Sequence, residues 1–241
     1  GEQARRYLDT LTKPPGSLGA LETLAIQLSA ITGELKPSVM PPAVIVFAAD
    51  HGVAVEGVSA FPQTVTAQMA ASSAMLAVLT GEPVASLVGA GTGIDQQQLS
   101  HKVTVIERAI AARNADSEDP LAVLAKLGGL EIAAMTGAYL ATAKQCLPAI
   151  VDGFIATVAA LIACRLCPAV RGYLIFGHRS QEPGHEVALR ALDAKPLLDL
   201  GMRLGEGSGA VLAYPLLQAA AAMMAEMATF DSAGISDKAT S

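Results

Sequence analysis

Three apolar runs of strand length, each cut off by a polar loop, do most to limit what this chain can fold into. The first, in "PPAVIVFAAD", is continuously apolar over residues 43–49 and gives way to Asp-His-Gly; "LPAIVDG" ends on Asp152; "GYLIF" gives way to "GHRS". Continuous apolar character without alternation marks a strand covered on both faces, as in a parallel sheet between helices. Helical patterns separate the runs, over 64–80, 96–112, 120–126, "EIAAMTGAYLATAKQ", 154–166, 182–192 with Pro183 in its first turn, and 208–227. Two more helices flank a Pro-Pro-Gly break near residue 15, the second expected to be capped by Ser17 and to bury Leu21, Leu24, Ile26 and Leu28. Strands alternating with helices predict an α/β fold whose ligands sit beyond the carboxyl ends of the strands. That rule puts Asp50, His51, Asp152, His178, Arg179 and Ser180 on one rim. Three strands are few for so many helices, so the sheet reads as short of members.

With 241 residues, 52% apolar, 16% charged and a mean hydropathy of +0.45, the chain lies far from the disordered regime. Aromatics make up only 4% and Trp is absent, so Ala, Leu, Val, Ile and Met must build the core, which favours closely packed helices. A net charge of −6 excludes the clustered basic surface that a nucleic acid partner needs. Cys146, Cys164 and Cys167 are odd in number and lack a second pair, which predicts buried, reduced thiols, no zinc site and a cytosolic compartment. No cationic stretch followed by an apolar run opens the sequence, so no signal peptide is expected. Residues 207–225 carry no charge but include Ser208, Tyr214, Pro215 and Gln218, and read as a buried helix rather than a membrane span.

Several constellations admit both a chemical and a structural reading. Gly89, Gly91 and Gly93 form a turn whose backbone N–H groups can cradle an anion, or simply a link between helices. A dinucleotide fingerprint would need glycine where Ile94 stands, and no phosphate-loop Lys-Ser or Lys-Thr follows, so neither of those ligands fits. Lys102 can neutralise a phosphate near Gly91 or lie on a solvated face. His51, His178 and His185 are too scattered to specify a metal. Asp152 can anchor a substrate hydroxyl or a loop; Arg179 and Ser180 can hold an anion, or Ser180 can cap the next helix. Glu206, in Leu-Gly-Glu-Gly-Ser-Gly, is either a turn carboxylate beside a helix that Ser208 caps or a base facing a flat ligand.

Seven blocks in order, "KPPGSLGALE", "AADHGVAVEGVSAFPQTVTAQM", "VGAGTGID", "GGLEIAAMTGAYL", "VDGFIATVAAL", "HRSQEPGH" and "LDLGMRLGEGSGA", closely resemble the nicotinate-nucleotide:dimethylbenzimidazole phosphoribosyltransferase family. The resemblance implies a parallel Rossmann-like sheet with helices on both faces, and a small helical domain built from residues 1–35 and 208–241 beside a large α/β domain over 36–207. It implies a cytoplasmic homodimer that moves a phosphoribosyl group from nicotinate mononucleotide to a benzimidazole; no cofactor, metal, membrane or nucleic acid is expected beside these substrates. Glu206 becomes the general base, with a pKa raised by an apolar surround. Phe61, standing where the family often has Tyr, Gln68 and Leu204 fall at the benzimidazole. Gly91, Thr92, Gly93, Lys102 and Ser180 match positions that hold the nucleotide; Asp152 matches the family's Val-Asp-Gly, and Arg203 and Gly205 line the substrate beside Glu206. Ala60 stands where a serine occurs in the family.

One departure is large. The family carries Gly-Glu-Met-Gly-Ile-Gly-Asn-Thr-Thr and several strands where this chain runs "TAQMAASSAML" without interruption, so the large domain lacks an internal segment near 69–71. An internal deletion, or a segment left out of the sequence, accounts for the shortfall of strands, and the unpaired core edge that a true deletion leaves favours the second. A binder of benzimidazole or nucleotide without turnover, and a phosphoribosyltransferase for another aromatic acceptor, are the alternative readings.

Overall fold

The computed structural model describes residues 1–49, 64–89 and 95–235, so Asp50, His51, Ala60, Phe61, Gly91, Thr92 and Gly93 lie outside the described residues. Ten α-helices and two strands organise the described part: α1 (Glu2–Asp9), α2 (Ala20–Thr32), α3 (Thr64–Thr80), α4 (Val84–Leu87), α5 (Gln96–Arg113), α6 (Pro120–Leu127), α7 (Leu130–Lys144), β1 (Ala149–Val151), α8 (Phe154–Leu166), β2 (Leu174–Phe176), α9 (Pro183–Ala191) and α10 (Ser208–Glu226). It is an α/β fold with a small parallel sheet and many helices. β1 and β2 pair in parallel, Ala149 opposite Leu174 through Val151 opposite Phe176. Past β2 the sheet gains one more rung: His178 bridges Leu198 in parallel, with Leu197 N–H donating to the Phe176 carbonyl at 2.9 Å and Arg179 N–H to that of Leu198 at 2.7 Å.

β2 shows how the two layers meet. Strand side chains alternate between faces, and here Leu174 and Phe176 enter one apolar cluster while Ile175 enters another. The first is built on α8, whose Val158, Ala159, Ala160, Leu161, Ile162 and Ala163 are all fully buried. A helix apolar on every side must sit inside the protein. Ala70, Ala74 and Ala77 of α3 pack there with Met75 and Leu76, the close helix approach that a core poor in aromatics requires. The second cluster joins α1, α2 and α10 through Leu8, Leu24, Leu28, Leu217 and Met224.

Several expectations are corrected. Residues 43–49 form no strand, and Val44, Ile45 and Val46 are 68%, 65% and 78% exposed. A strand that is apolar on both faces needs neighbours and covering helices, and among the described residues none pairs with this one. Ser17 does not cap α2, which starts at Ala20 behind Gly19 (φ +52°). The turn is closed by Glu22 instead, which accepts the Leu18 N–H at 3.0 Å and pairs with the buried Lys13 at 2.8 Å. Leu24 and Leu28 are buried as expected, Leu21 and Ile26 only partly. All three thiols are free, but Cys146 and Cys167 are exposed because they lie just past the ends of α7 and α8; burial pushes the half-buried Cys164 thiol up to about 11. α10, with a mean hydropathy of 1.4, is long and apolar enough to cross a membrane by length and composition, yet Leu217, Ala220 and Met224 are buried in the second cluster.

Candidate active site

The described rim residues gather where β1 and β2 end. Asp152 follows β1 directly, and its carboxylate reaches across to the start of α10: Oδ2 accepts the Gly207 N–H at 3.1 Å and Oδ1 the Ala210 N–H at 2.9 Å. The first turn of a helix leaves N–H groups without partners, and Gly207, at the cap position, has no side chain to serve them. Asp152 supplies that cap from 55 residues away. Ser208, expected to cap α10, is its first residue and donates its hydroxyl to the Gly205 carbonyl at 2.7 Å. Burial first, and the charge of Asp152 second, push the phenol of the buried Tyr139 above its usual range.

Gly205, Glu206 and Gly207 have φ of +78°, +58° and +80°. Glycine takes that region freely, whereas a residue with a Cβ is strained there by roughly 1–2 kcal/mol. Glu206 is the residue held at that cost, and backbone strain of this kind clusters at functional sites. Its side chain is exposed rather than enclosed by apolar groups, and Leu204 beside it is 70% exposed. Arg203 is exposed as well, and Gly205 partly so.

The first turn of α10 presses on the end of β2. A Cβ on Gly209 would stand 1.8 Å from His178 Cδ2, and one on Gly177 would stand 3.0 Å from the Gly209 carbonyl oxygen. His178 is 1% exposed, neither ring nitrogen has a hydrogen-bond partner, and Nε2 lies 3.9 Å from Asp152 Oδ1.

In "HRSQEPGH" the expected anion contacts are largely spent on the loop itself. Arg179, half exposed, pairs with Glu186 at 2.9 Å and Asp199 at 3.5 Å. Ser180 does not cap α9, whose cap position is Glu182; its N–H donates to His185 Nδ1 at 2.8 Å, and its Oγ accepts the Glu182 N–H at 3.4 Å. His185 Nε2 lies 3.0 Å from Thr157 Oγ1, whose own proton goes to the Gly153 carbonyl at 2.8 Å. The bonding therefore needs a neutral ring protonated on Nε2, and burial, helped by His178 and Arg179, pushes its pKa down to about 4. Because the unfolded ring titrates near ~6.5, this contribution is fully present above that pH and is lost as pH falls from about 6.5 to 4, on the order of 3 kcal/mol in all. An NMR titration should find the His185 ring neutral down to about pH 4; a midpoint near ~6.5 would contradict the buried network.

Lys102 is not on a solvated face. It is 3% exposed on α5, and burial holds its ammonium below the usual value against the opposing charge of Glu182. Burial raises the Glu182 carboxyl in turn, while Lys102 and Arg203 oppose the rise. Glu182 also faces the start of the glycine segment: a Cβ on Gly89 would stand 2.9 Å from Pro183 Cδ and 3.2 Å from Glu182 Oε2. The charges of a buried ammonium and a guanidinium thus act on one carboxylate that also faces the first glycine, a setting that suits the approach of an anion. Reasoning from sequence singled out neither Glu182 nor Gly209; the signal for Glu182 was its place just ahead of Pro183. Gln68 sits half-buried on α3.

Comparison with known proteins gives this geometry a family. A phosphoribosyltransferase family model matches residues 1–72 and again 70–235. The nicotinate-nucleotide–dimethylbenzimidazole phosphoribosyltransferase of Azotobacter vinelandii is 41% identical over 322 aligned positions, covering 94% of this chain and 92% of that one. The Chloroflexus aggregans protein of the same name is 40% identical, covering 98% and 93%. CobT from Thermus thermophilus superimposes with a TM-score of 0.90 at 35% identity, covering 98% of both chains. An alignment of 322 positions against 241 residues leaves at least 81 positions of the relative without a counterpart, and the two family matches meet at 70–72, inside α3. With nearly the whole chain matched on both sides of that junction, the protein belongs to the nicotinate-nucleotide–dimethylbenzimidazole phosphoribosyltransferase family.

Proposed function

We propose that this chain transfers the phosphoribosyl group of nicotinate mononucleotide to 5,6-dimethylbenzimidazole, releasing nicotinate and forming α-ribazole 5′-phosphate for cobalamin assembly. The observation that carries the reading is about 40% identity, along nearly the whole chain, to relatives named for that reaction. One benzimidazole nitrogen attacks C1′ from the face opposite nicotinate; the N–C1′ bond to nicotinate breaks, and its electron pair returns to the pyridine ring. The sugar configuration passes from β to α. Attack makes the benzimidazole cationic, and its remaining N–H, far too weak an acid beforehand, becomes acidic as the bond forms. Glu206 accepts that proton and its charge stabilises the growing cation. Leu204, 70% exposed and two residues before Glu206, offers a flat ring an apolar face.

In the same reading Phe61, Gln68 and Leu204 contact the base, while Gly91, Thr92, Gly93, Lys102 and Ser180 hold the nucleotide, with Arg203 and Gly205 lining the substrate beside Glu206; Asp152, expected from the family's Val-Asp-Gly at the substrate, spends both carboxylate oxygens on α10 instead. The chain works in the cytoplasm as a homodimer, its ends forming one small helical domain (1–35 and 208–241) against the larger one (36–207); the separate cluster of α1, α2 and α10 supports that division.

A second reading has one observation in its favour: at least 81 positions of the Azotobacter vinelandii relative have no counterpart in this chain, whose two family matches meet inside α3. A chain without them would bind the substrates and turn nothing over. Incubating the protein with nicotinate mononucleotide and 5,6-dimethylbenzimidazole decides. Nicotinate release coupled to ribazole phosphate is the expected result; binding of either substrate without release would establish the second reading. Release with other aromatic acceptors at equal rates would remove the benzimidazole preference.

A further inference from the structure

We propose that Asp152 is a positioning residue for Glu206, acting through the first turn of α10 rather than through the substrate. The inference rests on the proposed role of Glu206 and goes beyond it. Both carboxylate oxygens of Asp152 are engaged, by the Gly207 N–H at 3.1 Å and the Ala210 N–H at 2.9 Å. These amides lie one and four residues after Glu206, so the two bonds clamp the backbone just beyond the residue that sits at φ +58°. Gly207 cannot cap its own helix, and Ser208 turns its hydroxyl back to Gly205. No other side chain is bonded to either amide among the described residues. Asp152 itself is fixed, because it leaves β1 beside its pairing with β2, and the buried ring of His178 stands 3.9 Å from Oδ1. The sheet thereby dictates where Glu206 is presented.

The chemistry suits an ionised acid. Carboxylate oxygens accept backbone N–H groups at a helix start more strongly than neutral acceptors do, and the helix dipole favours the charge. Asp152→Asn keeps the shape but can accept through one oxygen only, and its amide N–H₂ would face the second backbone donor.

Steady-state kinetics and amide exchange on the full chain test the proposal. In D152N, kcat should fall about 10- to 100-fold, the cost of a hydrogen bond to a charged group, while KM for nicotinate mononucleotide stays within about twofold. Introduced into E206Q, the same change should cost nothing further, because it acts through the missing carboxylate. A raised KM with kcat unchanged, or an additive loss in the double variant, would overturn the proposal. Should D152N fail to fold, amide exchange in the unaltered protein still decides: Gly207 and Ala210 should exchange at least about tenfold more slowly than an unstructured chain, and free exchange at both sinks the clamp. That readout needs no turnover, so absence of nicotinate release would count against the reaction and leave the clamp to stand or fall separately.

Discussion

Replacing Glu206 by glutamine should slow nicotinate release by about 10²–10⁴-fold, the usual worth of a positioned general base, while nicotinate mononucleotide binds within about twofold of the unaltered chain. Glutamine has the same shape and tolerates the same backbone angles as poorly as glutamate does, so the turn at φ +58° is unchanged. The side chain is exposed, which keeps the expected effect on stability within about 0.5 kcal/mol. What is lost is the acceptor for the benzimidazole proton and the negative charge beside a ring becoming cationic. Single-turnover measurement of nicotinate release, set against calorimetric binding of the nucleotide, separates the two effects. An unaltered rate would take the base role away from Glu206. A large rise in the dissociation constant with the rate preserved would make it a binding group instead.

Where a segment's own composition decides its structure, the sequence was readable. β1 and β2 are continuously apolar and α8 nearly so, and they sit where such runs must sit; Pro183 opens α9. Residues 43–49 carry the same signal and form no strand, because a strand is completed by its neighbours and the run cannot report that they are missing. Ser17, Ser180 and Ser208 each had the local chemistry of a helix cap, and none caps by its side chain. In all three places the cap position falls two residues beyond the serine or on its preceding glycine; at α2 Glu22, inside the helix, holds the preceding turn through Leu18, and at α10 the distant Asp152 supplies the cap. Long-range capping leaves no local pattern, so Asp152 was legible as a strand-end acid but not as the clamp on Glu206. The burial of Lys102 was hidden for a similar reason, since a lysine stem suits a solvated face and a buried one equally until its surroundings are known.

Gly209→Ala should be the most damaging glycine-to-alanine change among the described residues. An added Cβ would meet His178 at 1.8 Å from Cδ2, 2.4 Å from Nε2 and 2.5 Å from Cγ, all far inside contact distance. The ring cannot swing into solvent, being 1% exposed, and α10 is held so close here that a Cβ on Gly177 too would stand only 3.0 Å from the Gly209 carbonyl oxygen. Overpacking of this sort costs about 1–3 kcal/mol or somewhat more, which for a chain of this size lowers Tm by about 5–10 °C. Relief by lifting α10 off the sheet would break the Asp152 bonds to Gly207 and Ala210, so turnover should fall with stability. Two companions isolate the cause. Gly137→Ala in α7, where a Cβ meets nothing within 4 Å, should stabilise by about 0.5–1 kcal/mol through helix propensity. His178→Ala removes a ring whose nitrogens have no hydrogen-bond partner, and combined with Gly209→Ala it should recover most of the lost Tm, a strongly non-additive cycle. Additive losses in that cycle would mean that the ring is not what the methyl strikes, and the close seating of α10 on the end of β2 would need another explanation.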